Sequence, residues 1–199
     1  MKRIVVSRLP TRYGQFDIYG YRAGAGGLEQ VALVYGQLPL PAPVLVRIHS
    51  ECLTGEVFGS LRCDCQAQLE LALESIVANG SGVVVYLRGH EGRGIGLINK
   101  LRAYSLQDQG RDTVDANREL GLPVDARNYD AAVAILRDLG VLRLRLMTNN
   151  PLKVSAVEAA GLEVAERVSV VTASTPDNVD YLRTKEDELG HLFGPRTPR

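Results

Sequence analysis

The tightest constraint on what this chain can fold into is the placement of its three cysteines. Cys52, Cys63 and Cys65 lie within positions 52–65, in Ser50-Glu-Cys-Leu-Thr-Gly and Leu61-Arg-Cys-Asp-Cys-Gln, and the 199 residues hold no other cysteine. Thiols gathered in one short stretch of an otherwise thiol-free chain read as a metal site rather than as small buried hydrophobes. Three ligands instead of four leave one coordination position open. On zinc that position is where water is activated, so the cluster points toward hydrolysis. A disulfide framework is not expected, because the count is odd, Met1-Lys-Arg-Ile-Val-Val-Ser-Arg lacks an apolar core of signal length, and a chain this long needs no staples. No run approaches the length of a membrane span, so the expected compartment is the cytoplasm, a reducing one.

Charge narrows the function classes further. Lys and Arg number 23, as do Asp and Glu. A balanced chain lacks the basic excess that a general nucleic-acid or membrane-surface protein needs. The basic residues are mostly arginine, with lysine only at Lys2, Lys100, Lys153 and Lys185; this bias carries little weight alone. A hydrophobic content of 45% suffices for one well-buried domain.

The pattern along the chain predicts a mixed α+β fold in a single compact domain over residues 1–193, with 194–199 a disordered tail. Ile4-Val-Val-Ser, Gln15-Phe-Asp-Ile-Tyr-Gly-Tyr, Val31-Ala-Leu-Val-Tyr and Val44-Leu-Val-Arg-Ile-His read as strands of a mostly antiparallel sheet. Strand–helix alternation follows. Helices are predicted over 67–78, 95–109, 129–139, 152–160 and 178–192, with strands at Gly82-Val-Val-Val-Tyr-Leu-Arg, Leu142-Arg-Leu-Arg-Leu-Met and Val168-Ser-Val-Val. The strand from Gly82 is continuously apolar, as expected where both faces are covered.

Three further segments carry chemistry. Arg88-Gly-His-Glu-Gly-Arg-Gly-Ile-Gly-Leu combines four glycines, two arginines and a helix start, which favours phosphate or nucleotide contact. It is not a P-loop, since the Lys-Ser/Thr ending is missing. Met147-Thr-Asn-Asn-Pro-Leu-Lys153 fits helix capping by Thr148 or Asn149 as well as a phosphate contact through Lys153, and both readings stay open. Asp125 and Arg127 share a loop before a helix; by spacing alone they read as a solvated cap and a surface arginine. Tyr104, among Leu97, Leu101 and Leu106, reads as core. Three thiolates on zinc acidify bound water less than three imidazoles would, so a neighbouring group has to share the proton work, with Glu51, Glu91, His49, His90 and Tyr104 as candidates.

Taken together, Arg47-Ile-His-Ser-Glu-Cys-Leu-Thr-Gly, Leu61-Arg-Cys-Asp-Cys, His90-Glu-Gly-Arg-Gly-Ile-Gly-Leu, Arg102-Ala-Tyr with Leu-Gln-Asp-Gln-Gly110, and Thr148-Asn-Asn-Pro-x-Lys153 resemble GTP cyclohydrolase II over residues 9–193. The resemblance implies hydrolysis of GTP at guanine C8 with loss of formate and diphosphate, the first step of riboflavin biosynthesis. It implies one Zn2+ per chain on Cys52, Cys63 and Cys65, Mg2+ with the triphosphate, and a homodimer. Arg47, Ile48, His49, Ser50, Glu51, Gln68, Glu91, Gly92, Arg93, Thr113, Thr148 and Lys153 match positions that hold GTP. Asp125 matches a proton acceptor, Arg127 a nucleophile at the α-phosphorus, and Tyr104 a tyrosine of the ring chemistry. The nucleophile role sits badly with a guanidinium, which has no free lone pair at neutral pH. The alternatives are a paralogue that opens the ring but keeps the formamide, and a zinc-stabilised GTP-binding protein without turnover.

Overall fold

The computed structural model describes residues 1–38, 41–111 and 113–193, with the backbone alone at Thr113 and Val114. Strands rich in β-branched and aromatic residues come first: β1 (Lys2–Pro10), β2 (Gln15–Arg22) and β3 (Glu29–Tyr35) form an antiparallel meander. There follow β4 (Val44–Ser50), the single turn α1 (Leu53–Glu56), α2 (Cys65–Ala78) and β5 (Gly82–Leu87). A 3-10 turn (Glu91–Gly94) leads to α3 (Leu97–Gln107), α4 (Thr113–Glu119) and α5 (Asp130–Asp138). The chain closes with β6 (Arg143–Met147), α6 (Pro151–Ala159), β7 (Glu163–Val168) and α7 (Val179–Asp187). Among the described residues the strands make one sheet in the order β1-β2-β3-β5-β4-β6-β7, a mixed α+β fold as the sequence pattern predicts.

The expectation of an antiparallel sheet over the first fifty residues holds for β1 to β3 and fails at β4. β3 pairs with β5, and β4 lies between β5 and β6, parallel to both, with Val46 opposite Val83 on one side and Leu146 on the other. The cause lies in its side chains. Val44 to His49 are all buried, which requires cover on both faces, whereas β1 is exposed along nearly its whole length. On one face Val83, Val85 and Leu87 pack with Ala132, Val133, Ile135 and Leu136 of α5. On the other, Leu45, Val84 and Met147 pack with Ala72, Leu73 and Ile76 of α2. Each fully buried Val or Leu contributes roughly 1.5–3 kcal/mol by burial.

This topology creates the crevice. The chain leaves β4 for β5 on one side, then crosses to β6 on the other. At such a reversal the connecting loops diverge, leaving a groove outside the carboxyl ends of the strands. The loops after β4 (51–64), β5 (88–96) and β6 (148–150) all run into it.

Other boundaries differ from expectation. α2 starts at Cys65, so the third cysteine is the helix's first residue. α3 starts at Leu97, behind the 3-10 turn, in which Gly92 and Arg93 take left-handed conformations (φ 59° and 61°) that the glycine spacing does not specify for an arginine. α4 carries no strong apolar period, so the sequence pattern does not reveal it. The last strand is Glu163–Val168 rather than 168–171; its charged residues pair across to β6, Glu163 with Arg143 at 2.7 Å and Glu166 with Arg145 at 2.6 Å, and this hides the strand period. α7 covers 179–187 of the predicted 178–192. Residues 194–199 lie outside the described residues. No helix among those described is long and apolar enough to cross a membrane.

Candidate active site

One end of the crevice is built around sulfur. Cys52 precedes α1, Cys63 lies in the following loop and Cys65 opens α2, and their Sγ atoms lie within 4.8 Å of one another. Cys52 and Cys63 are 3.7 Å apart, far beyond a disulfide bond. Two thiolates about 2.3 Å from a tetrahedral zinc lie about 3.8 Å apart, so the donor set fits the ion. Gly55 makes room for it: a Cβ there would stand 2.8 Å from Sγ of Cys63 and 3.3 Å from Sγ of Cys52. The three thiols do not share charge equally. Hydrogen bonds from Cys63 and Cys65, together with nearby Lys100, push Cys52 far below the usual thiol range despite burial. The bond to Cys52 pushes both of its neighbours up.

Lys100 ties this end together. Its Nζ donates to Sγ of Cys52 (3.2 Å), Oγ1 of Thr54 (2.8 Å) and Oε1 of Glu91 (2.5 Å). Burial works against its charge, but Cys52 and Glu91 outweigh burial and hold it as an ammonium. Glu91 also accepts from the backbone N–H of Leu53 at 2.6 Å, so its carboxylate is committed to structure. The hydroxyl of Tyr104 lies 3.4 Å from Thr54 Oγ1, and Tyr104 lines a cavity of about 420 Å³ with the three cysteines. Tyr104 is therefore not core, as its spacing suggested; burial raises its pKa and keeps its proton in place.

The other end collects cations. Arg47 Nη1 donates to the carbonyl of Met147 (2.9 Å) and Nη2 to Oε1 of Gln68 (2.6 Å), while Lys153 Nζ donates to the carbonyl of Ile48 (2.8 Å). With Arg93, Arg127 and Lys185 they line a second cavity of about 70 Å³, which shares Ser50, Cys65, Arg93, Arg127 and Tyr181 with the larger one. Burial, then Arg47, Arg127 and Lys185, push Lys153 well below the usual ammonium range. Arg93 Nη1 and Nη2 and Arg47 Nε are buried without a hydrogen-bond partner among the described residues. Such orphaned donors in a crowd of like charges are costly unless an anion arrives.

Asp125 and Arg127 sit between the two ends. Their side chains pair in a fork, Nε to Oδ1 at 2.9 Å and Nη2 to Oδ2 at 2.5 Å, and both are largely buried. The reading as solvated cap and surface arginine is thus overturned: the carbonyl of Arg93 accepts from Ala126 N–H (2.9 Å) and folds this loop inward against the glycine loop. Burial opposes the charge of Asp125, but Arg127 lowers its pKa overall; Asp125 in turn raises that of Arg127.

The remaining sequence candidates divide. Ser50, Glu51, Gly92 and His90 line the large cavity, with Ser50 Oγ 3.1 Å from His90 Nδ1 and Glu51 accepting from Gly89 N–H. Thr148 and Gln68 line the small one; Ile48 offers only its carbonyl, its side chain being core. Neither Thr148 nor Asn149 caps α6. Asn150 does, accepting from Leu152 N–H at 2.9 Å. Thr113 starts α4, and its side chain lies outside the described residues. His49 turns from the cysteines to Glu56 (2.8 Å), which also accepts from Tyr86 Oη (2.6 Å). Burial lowers its pKa to about 4, with burial and Arg127 doing the same for His90. Sequence spacing does not point to Lys100, Thr54, Glu56, Tyr181 or Lys185. One signal was available: in an arginine-rich chain, the three lysines beyond Lys2 are the buried ones, Lys100 at 9%, Lys153 at 5% and Lys185 at 7% exposure.

Residues 2–169 match the family model described as GTP cyclohydrolase II. The "Riboflavin biosynthesis protein RibBA" of Salinispora tropica is 59% identical over 96% of this chain and 48% of its own length. The "Monofunctional riboflavin biosynthesis protein RIBA 3, chloroplastic" of Arabidopsis thaliana is 56% identical over 97% of this chain and 38% of its own. The chain thus spans about half the length of the RibBA relatives it matches, and less of the plant protein. A two-domain 3,4-dihydroxy-2-butanone 4-phosphate synthase from A. baumannii, RibBX, matches in structure over 86% of this chain and 40% of that one, with a TM-score of 0.51 and 22% identity, a likeness of fold alone.

Proposed function

The chain belongs to the GTP cyclohydrolase II family, and from that premise we propose that it hydrolyses GTP at guanine C8, releasing formate and diphosphate and leaving 2,5-diamino-6-ribosylamino-4(3H)-pyrimidinone 5′-phosphate. The observation that carries this reading is one crevice with a three-thiol cluster at one end and a pocket of buried cations at the other. A nucleoside triphosphate has the matching polarity, an uncharged base and an anionic tail.

Cys52, Cys63 and Cys65 would hold Zn2+, which supplies a Lewis acid able to make water nucleophilic near neutral pH. The chain's own residues do the rest. Arg47, Arg93, Arg127 and Lys153 seat the phosphates, which travel with Mg2+, and so aim the base at the sulfur end. Tyr104, kept protonated by burial, donates a proton to the opening ring; its hydroxyl contacts Thr54, which Lys100 holds. Glu91 and His49 leave the list of proton carriers, because each is committed to a structural partner. Arg127 acts as a charge clamp on the α-phosphorus rather than as a nucleophile. Asp125, with its pKa lowered, is a poor base for removing a proton from a guanidinium whose own pKa is raised. A homodimer in the reducing cytoplasm completes the proposal.

Mass spectrometry of the products from GTP and Mg2+ tests it. Formate and diphosphate in equal amounts are expected. An opened base that retains its formyl group would replace the full reaction by ring opening alone, and unchanged GTP would leave a binding protein. An Arg127→Lys variant with near-normal turnover is expected of a clamp; trapping a guanylylated Arg127 would reverse that assignment.

A further inference from the structure

The matched family region ends at residue 169, yet the last helix forms a wall of both cavities. Tyr181 lines the two of them, and Lys185 lines the cationic one with its Nζ 4.3 Å from the centre of the Tyr181 ring. The segment after α7 folds back on the helix, with His191 N–H donating to the carbonyl of Lys185 at 3.0 Å, and is fastened to the loop after β6, where Leu192 N–H donates to the carbonyl of Asn149 at 2.8 Å. Lys185 reaches further than its own pocket. Its Nζ donates to Oδ1 of Asp64 at 2.6 Å, in a pair whose side chains are 9% and 2% exposed. Asp64 stands between Cys63 and Cys65. Its second oxygen accepts from Gln68 Nε2 at 2.5 Å, and Gln68 accepts from Arg47 Nη2.

We propose that Lys185 is a positioning residue that, through Asp64, fixes the turn carrying two of the three thiols and, through Gln68 and Arg47, ties that turn to the anion pocket. The inference rests on the zinc reading of the cysteines. The Nζ of Lys185 bonds the carboxylate between the thiols and not, among the described residues, a thiol itself. It sets the carboxylate, the carboxylate sets the Cys63–Cys65 turn, and the same carboxylate orients the amide that steers Arg47. One residue thus supports the metal turn and the anion pocket alike, so its loss should weaken both sites at once.

The test is zinc affinity, measured by chelator competition, and inorganic triphosphate affinity, measured by calorimetry, in the full chain and in Lys185→Met, Lys185→Arg and Asp64→Asn. Partners that orient metal ligands typically account for about 10–100-fold in metal affinity. Lys185→Met is expected to weaken zinc binding by about tenfold or more and to weaken triphosphate binding with it, while Lys185→Arg restores much of both. Thermal melting checks that each variant is folded. Should Lys185→Met alone not fold, the double variant with Asp64→Asn leaves no unpaired carboxylate in the interior and carries the same expectation. Wild-type-like zinc affinity in a folded Lys185→Met or double variant overturns the inference and spares the zinc reading. Failure of the wild-type chain to take up zinc overturns the zinc reading and this inference together.

Discussion

The two ends of the crevice follow opposite electrostatic plans. At the sulfur end three thiols converge on a site relieved by a single buried ammonium, Lys100, which is itself matched by Glu91. At the other end Arg47, Arg93, Arg127, Lys153 and Lys185 crowd together with Asp64 and Asp125 as the paired carboxylates. One end has a surplus of acceptors for a cation and the other a surplus of donors for an anion. Each surplus of like groups is costly unless a partner of opposite charge meets it. The comparison also says which residues should fail separately. A change at a thiol should remove metal and leave anion binding, and a change at Lys153 should do the reverse, whereas Lys185, bonded to Asp64 between two of the thiols, should affect both.

The largest separation is expected from Cys63→Ser, because Cys63 lines only the larger cavity. Zinc affinity should drop by more than about 100-fold and ring opening should fall to background, while inorganic triphosphate binds within about threefold of wild type. Metal analysis after dialysis, beside calorimetry with triphosphate, reads both. Loss of both ligands together would mean the ends are not separate sites.

Lys153→Met is the mirror experiment. Truncating a buried charged group that meets an anion typically costs about 2 kcal/mol or more, about 30-fold in affinity. Triphosphate binding and the KM for GTP should suffer by that factor, with zinc content unchanged at one per chain. Zinc loss in this variant would break the comparison from the other side.

How the two ends could be seen in the sequence differs as sharply. The sulfur end is legible because its three cysteines lie within positions 52–65, and the glycine loop because its composition is unusual. The central apolar strand at Gly82 was legible for the same local reason. What the chain hides depends on distant partners. β4 reads like its antiparallel predecessors until β6, about a hundred residues later, takes its other edge. Lys100 meets Cys52 across 48 positions and Lys185 meets Asp64 across 121. Tyr104 keeps core spacing on its helix, but the space beside it is the crevice. Asp125 and Arg127 resemble a surface cap until the glycine loop draws them in.

Gly55→Ala probes the sulfur end with a smaller change. The residue lies in α1, where alanine suits a helical backbone better than glycine by about 1 kcal/mol. Its Cβ would nevertheless meet Sγ of Cys63 at 2.8 Å. Zinc affinity should fall about tenfold through displaced ligands while the melting temperature of the metal-free protein holds or rises. Stability and metal binding moving together would show that the glycine serves the fold and not the cluster.

The smallest effect tests a residue whose place in the chain and place in the molecule disagree. His49 is three positions from Cys52, yet it lines the cationic cavity, and its Nε2 bonds Glu56. Burial lowers its pKa from 6.5 to about 4, and the charges of Arg47 and Lys153 add to that against the pull of Glu56. On acidification the unfolded chain therefore takes up this proton first. The stability contributed by a neutral His49 is fully present above pH 6.5 and is lost as pH falls toward 4. Between pH 6.5 and 5.5 the expected loss is about 1 kcal/mol, read as the pH dependence of urea unfolding. His49→Gln should flatten that dependence, and the imidazole should titrate near pH 4 by NMR. Titration near 6.5 would place His49 outside the field of the cations, and the boundary between the two ends would have to move.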